Sequence, residues 1–365
     1  MIYLDYQATT PLAPEARDAM LRWLDGPGGT GFGNPHSAHA MGRLAAAAVE
    51  LARDRVAALF PPGGKVIFTS GATEALNTVL RGSKGDVLTF AAEHAAVLDC
   101  KAPVEAQGRS FGILPVTSGG LADLAELRKA ATRQTGIIAA MLVNNEIGAI
   151  NPLGGIAAIA RETGALVLCD AVQGYGRVTI PGAADFIAVS AHKIHGPKGI
   201  GALWVRDGLE LDPLLYGGGQ EGGLRSGTLS PALCAGFGAA AQLASERMQE
   251  DAERAEALWH VARAAFASWT LNGAEEARWH GNLNLRREGL DVARLMSECR
   301  EICFSAGSAC ASGSGRPSHV LKAIGLDSAA AKSSIRLGYG RYTTPDQIED
   351  AAERLNAAAA AQGVK

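Results

Sequence analysis

The sequence predicts an α/β protein: a mostly parallel sheet flanked by helices, with a smaller α+β unit after it. Three observations carry that expectation. Short apolar runs alternate with stretches of helical period from about residue 65 to residue 205, the rhythm of repeated βαβ units. At 365 residues, 47% of them hydrophobic and 45 of them glycine, the chain can build one large closely packed domain and a smaller one. A long Ala-rich segment, roughly 230–268, then changes the composition. The boundary is expected within it, between a large domain at 11–247 and a small one made of 1–10 and 248–365.

Residues 1–10 form a short apolar/polar segment closed by Pro11 and Pro14, and Glu15 to Asp25 has helical period. A glycine-rich loop, Gly26 to Gly33, leads to a helix from about Ala38 to Phe60, which Pro61-Pro62-Gly63-Gly64 stops. Lys65 to Thr69 is a β-type run, and after Ser70-Gly71-Ala72-Thr73-Glu74 a helix runs to Leu80. Strands are expected at Asp86–Phe90, Phe111–Val116, Ile137–Val143 and Ala165–Cys169, with helices at 94–106, 121–132 and 153–163. Two more apolar runs, Phe186 to Val189 and Gly201 to Val205, enclose SAHKIHGPKGIG. A β-type run at Asn282–Leu285, a helix at 290–300 and a closing helix from Pro345 complete the pattern.

The net charge of −3 gives no reason to expect nucleic acid or an acidic membrane surface as partner. The first residues lack the basic and apolar regions of a signal peptide, and no apolar run approaches the ~20 residues of a membrane span. A cytoplasmic protein is expected. The six cysteines are scattered, which argues against a disulfide framework. Cys299, Cys303, Cys310 and His319 match no zinc spacing, so no metal is expected.

Ligands of parallel sheets sit at the carboxyl ends of the strands. There the sequence places His94, Asn144-Asn145-Glu146, Asp170, Gln173, Ser190, His192 and Lys193. Lys193 between two buried strands is a candidate for a Schiff base with a carbonyl cofactor, since burial frees the amine. A surface lysine in a Gly/Pro turn is the plainer alternative. Asp170 ends a buried run, where an unpaired carboxylate is penalised. A pyridinium nitrogen would be a fitting partner, and an Asp with a Lys is the set that pyridoxal phosphate requires.

Its phosphate would lie on the helix start Gly71-Ala72-Thr73, where free N–H groups and the helix dipole favour an anion, assisted by Ser190 and His192. An ordinary capped helix is the alternative. The loop Gly217 to Thr228 is either a flexible linker or a polar, phosphate-friendly loop. Cys310, in the Gly/Ser/Ala loop 305–317, has no apolar shell, which makes it a candidate nucleophile or an incidental loop residue.

The motifs YLDYQATTP, FGNPHSAH, FTSGATEALN, EHAAVLDC, VNNEIGAINP, CDAVQGYG, SAHKIHGPKGIG, GGGQEGGLRSGT, SAGSACAS, RPSHVLKAIG and SIRLGYGRYTT span nearly the whole chain. Together they resemble the cysteine desulfurases of the class V, fold type I pyridoxal-phosphate enzymes, in the group with a long cysteine loop. The resemblance implies a large domain with a seven-stranded sheet and a small domain carrying the cysteine loop. It further implies that Lys193 holds the cofactor, Asp170 pairs with the ring nitrogen, His94 stacks on the ring and Gln173 reaches the phenolic oxygen.

Thr73, Ser190 and His192 would bind the phosphate, joined by Thr228 from the partner subunit of a homodimer. Asn145 and Arg336 would bind the substrate carboxylate, and Cys310 would be the nucleophile. The implied reaction converts L-cysteine to L-alanine and leaves a persulfide on Cys310 for a sulfur-acceptor protein, as in iron–sulfur cluster assembly. A selenocysteine lyase or another class V aminotransferase or lyase is the alternative on the same site. Two departures stand out: Gly222, where relatives often carry a larger residue, and a short C-terminal tail, which leaves the acceptor's identity open.

Overall fold

The computed structural model describes residues 1–307 and 317–364. Its main sheet has seven strands, ordered from edge to edge as Gly64–Thr69, Gly201–Arg206, Phe186–Ser190, Leu166–Asp170, Thr135–Met141, Asp86–Phe90 and Phe111–Leu114. Only Gly201–Arg206 runs against the others. Side chains of successive strand residues point to opposite faces, and here both faces are buried. Ile137, Ala139, Phe186 and Ala188 pack into one core layer, whereas Ile138, Ala140, Ile187 and Val189 pack into the other. That two-sided burial explains why these strands read as unbroken apolar runs.

Helices cover both layers. Ala40–Ala57 and the first half of Pro231–Ala265 lie over one face, through Val49, Val56, Phe237 and Ala241. Ala72–Gly82 covers the other with Leu76, Val79 and Leu80. The helix expected at 94–106 is two short helices, Ala95–Leu98 and Lys101–Glu105. Pro103 explains the break, because its ring collides with the carbonyl four residues back and it has no N–H to donate. Pro115 likewise ends the strand Phe111–Leu114 earlier than expected.

A second core forms around a four-stranded antiparallel sheet, ordered Ser305–Ala306, Ser334–Gly338, Asn282–Arg286 and Thr270–Leu271. Leu283, Leu285, Ile335 and Leu337 fill it, together with Ile348 and Leu355 of the helix Pro345–Ala361. The N-terminus joins this core: Ile2–Tyr3 pairs with Ile302–Cys303, and Ile2 and Leu4 are buried in it. The helix Pro231–Ala265 is 35 residues long and serves both cores, with Phe237 in the first and Leu258 and Trp259 in the second. No helix among the described residues is long and apolar enough to cross a membrane.

Candidate active site

Parallel strands bring their carboxyl ends to one rim, and the polar residues found there by sequence, except Asn144 and Glu146, line one cleft. Ala72, Thr73, His94, Asn145, Asp170, Gln173, Ser190, His192, Lys193 and Arg336 all contribute to it. Gly71 lies one residue before the helix and is its N-cap. Thr228 does not line the cleft; it is exposed on the glycine-rich loop. Cys310 lies outside the described residues.

Lys193 stands in a single helical turn directly after the strand Phe186–Ser190. Its Nζ donates to the carbonyl oxygens of Gln7 at 2.5 Å and Ala8 at 2.8 Å. Burial, then the cationic Arg177 and Arg336, bring its pKa down to about 8. The amine is thus far closer to its nucleophilic form at neutral pH than a surface lysine. A lysine in an exposed Gly/Pro turn does not fit that setting.

Asp170 is 6% exposed at the end of its strand, and Oδ1 accepts from the Val172 amide at 3.0 Å. Burial raises its pKa, with His94 and Lys193 opposing. A cation beside this carboxylate would therefore be well placed. His94 caps the helix Ala95–Leu98 through Nδ1, which accepts from the Ala96 amide at 3.0 Å. Burial lowers its pKa, Asp170 works against that shift, and Lys193 and His319 reinforce it. Glu93 next to it is buried; desolvation, followed by the charge of Asp170, pushes it well above the usual carboxylate range.

Gln173 links several of these groups. Its Nε2 donates to the Gln7 carbonyl at 3.0 Å, and its Oε1 accepts from Arg177 Nη1 at 2.7 Å. Arg177 Nη2 in turn donates to the Lys193 carbonyl at 2.6 Å.

At the other end of the cleft the strand Gly64–Thr69 turns into the helix Ala72–Gly82 without a side-chain cap of its own. Ser190 Oγ accepts from the Ala72 amide at 2.9 Å, tying two strand ends together. The backbones pack so closely that a Cβ on Gly201 would come within 2.7 Å of Gly71 Cα and 2.4 Å of Val189 O. Glu74 Oε2 accepts from the Ser70 amide at 2.7 Å, while its Oε1 accepts from Arg225 Nε at 2.8 Å. His192 Nδ1 lies 3.1 Å from Thr9 Oγ1, and burial with nearby Lys193 and Lys198 lowers its pKa to about 4.

Arg336, 1% exposed, closes the cleft from the second core. Its Nη2 donates to Asp5 Oδ1 at 2.7 Å and Ser305 Oγ at 3.2 Å, and its Nη1 to the Asn145 carbonyl at 3.1 Å. Its Nε is buried without a partner among the described residues. Asp5, Gln7, Glu93 and Arg177 were not singled out by sequence. Asp5 alone carried a signal, as an acid between the apolar Leu4 and Tyr6. No group of three or more metal-ligating side chains occurs among the described residues.

The residues suit pyridoxal phosphate: a buried amine of low pKa, a buried carboxylate awaiting a cation, and free N–H groups at a helix start. The model of the aminotransferase class-V family matches residues 2–350. A cysteine desulfurase IscS of Rickettsia bellii is 42% identical over 97% of this chain and 90% of its own length. The solved structure of a NifS-like protein superposes with a TM-score of 0.89 at 30% identity, covering 98% of each chain. The structure of SspA in complex with cysteine gives 0.82 at 32% identity, over 94% of this chain and all of the other.

Proposed function

Because the chain belongs to the aminotransferase class-V family, we propose that it is a pyridoxal-phosphate-dependent cysteine desulfurase with Cys310 as the sulfur-accepting nucleophile. Lys193 is the covalent anchor, and Asp170 answers the ring nitrogen. Ala72, Thr73, Ser190 and His192 hold the phosphate on the helix start behind Gly71. Bound there, the cofactor supplies an electron sink for the α-carbon of an amino acid.

The chain's own groups do the rest. Arg336 and Asn145 receive the substrate carboxylate, with the guanidinium as a planar fork. Lowered by burial, His94 stands neutral at neutral pH and can take up a proton beside Lys193. Gln173 is held by Arg177 and the N-terminal segment, which fixes the orientation of the amide that would reach the cofactor's phenolic oxygen. Cys310 Sγ, as thiolate, forms the S–S bond to the substrate sulfur as the substrate's C–S bond breaks. The electron pair stays with carbon, a proton completes alanine, and Cys310 keeps the persulfide.

The observation that carries this reading is the convergence of Lys193, Asp170 and Arg336 on one cleft whose rim also roots the cysteine segment. Before the segment, Ser305 pairs with Arg336 in the small sheet. After it, Ser318 Oγ donates to Glu146 Oε2 at 2.5 Å, and His319 Nε2 lies 2.8 Å from the carbonyl of Glu93.

A homodimer completes the picture. Thr228 is exposed and away from its own cleft, as a residue serving a partner's phosphate would be. The persulfide then passes to an acceptor protein. Cys310→Ser tests the assignment: with cysteine added, the cofactor spectrum should shift as in the wild type while alanine release nearly stops. Alanine production at the wild-type rate would refute Cys310 as the nucleophile and favour a lyase on another substrate.

A further inference from the structure

We infer that Asp5 is a positioning residue that moderates the grip of Arg336 on the amino-acid carboxylate, so that alanine can leave after sulfur transfer. The inference rests on the carboxylate-binding role proposed for Arg336.

Asp5 and Arg336 lie 331 residues apart in sequence, yet Asp5 Oδ1 receives Arg336 Nη2 at 2.7 Å. The same oxygen accepts from Ser305 Oγ at 3.0 Å, so the carboxylate is fixed on two sides. It is the one ionic partner of that guanidinium among the described residues. The geometry leaves the guanidinium half committed: Nη2 and Nη1 have protein acceptors, whereas Nε is buried and unpaired.

A buried, unmatched guanidinium would hold any α-carboxylate very strongly. Substrate and product carry the same α-carboxylate, so such a grip would retain alanine as firmly as cysteine and gain nothing for turnover. Asp5 works against this in two ways. Its bond orients the guanidinium, and its charge repels a second carboxylate approaching the same cation.

Replacing the charge and keeping the acceptor separates the two effects. Asp5→Asn retains an oxygen for Nη2, and Ser305 Oγ and the Asn145 carbonyl still hold the guanidinium. Two unit charges ~6 Å apart at an effective dielectric of ~20 repel by about a hundredfold in affinity; with Asp5 partly solvated, half of that on the logarithmic scale gives roughly tenfold.

The experiment uses the holoenzyme with alanine as probe, titrated against the cofactor spectrum, and steady-state kinetics with cysteine. Asp5→Asn should bind alanine roughly tenfold tighter, lower KM for cysteine without raising kcat, and make alanine a stronger inhibitor. Asp5→Ser, which also removes the charge, should move alanine affinity the same way. Alanine binding unchanged or weaker in both variants would overturn the inference. Arg336→Lys separates the two possible failures. If alanine binds there as in the wild type, Arg336 is not the carboxylate site and the functional assignment fails with it. If alanine weakens there while neither Asp5 variant tightens, only the role of Asp5 is wrong.

Discussion

Raising the pH should load the cofactor-free protein with pyridoxal phosphate along a curve that Lys193 sets. Only the free amine can attack the aldehyde, and the Lys193 pKa falls from the ordinary 10.5 to about 8. At pH 7.4 about 20% of Lys193 is then free amine, against about 0.1% of an unperturbed lysine, an advantage of roughly 200-fold. The sign is that of a base lowered by folding: above about 8 the site is already neutral, so capture should rise tenfold per pH unit below 8 and level off above it. The assay is the rate of absorbance change on mixing cofactor-free protein with excess pyridoxal phosphate between pH 6 and 10.

The same shift is a statement about stability. Below pH 8 the protonated, desolvated Lys193 costs the native cofactor-free state roughly 3 kcal/mol, and that cost fades as pH rises from 8 to 10.5, where the unfolded chain also deprotonates. Stability of the cofactor-free protein attributable to Lys193 should therefore climb through that window. A capture rate that kept rising tenfold per pH unit up to pH 10 would refute the reasoning, because Lys193 would then titrate like a solvated lysine.

Lys193→Ala should abolish turnover, and borohydride reduction followed by peptide mapping of the wild type should find the pyridoxyl group on Lys193; label on Lys198 would overturn the assignment. Glu221→Ala should cost about 1–3 kcal/mol in urea unfolding, because it removes the acceptor of Arg53 Nη1 and Nη2 at 2.8 Å each and of the Phe68 amide at 2.7 Å, leaving Arg53 only Glu50 and the Val66 carbonyl. Glu221 also has a φ of 52°, so Glu221→Gly should lose about 1 kcal/mol less than the alanine variant; equal losses would argue against backbone strain there. The protein should be a homodimer with two composite sites, and monomers with full cofactor occupancy at low concentration, by light scattering and absorbance together, would contradict the role given to Thr228.

Much of the fold was legible because its strands are buried on both faces and its loops are punctuated by Gly and Pro. The expected strand Asp86–Phe90 and the helix at 153–163 coincide with the structure. The site's strand-end residues were legible too, since topology alone brings parallel carboxyl ends to one rim. What sequence could not supply were contacts made by tertiary packing across long separations. The carbonyls of Gln7 and Ala8 that hold Lys193 Nζ come from the N-terminal segment, 186 and 185 residues away, and backbone acceptors carry no sequence signal. Glu221, on the glycine-rich loop, and Arg53, on the helix Ala40–Ala57, are 168 residues apart and were not singled out, yet the carboxylate is 2% exposed where they meet. Glu93 sat unnoticed beside His94, since nothing in EHAAV says which neighbour is buried.

The helix Pro231–Ala265 runs about 52 Å without interruption. A protein engineer seeking to divide the chain into two separately expressed pieces finds no loop at the natural dividing line. A cut between the two cores would sever a continuous rod, leaving Phe237 and Ala241 on one fragment and Leu258 and Trp259 on the other. The first ten residues would also go with the wrong half, since Ile2 and Leu4 belong to the second core while Gln7 and Ala8 hold Lys193 in the first. The gene is therefore a poor subject for split-protein reporters cut at that line, and a tag on the N-terminus sits one short strand away from the chemistry.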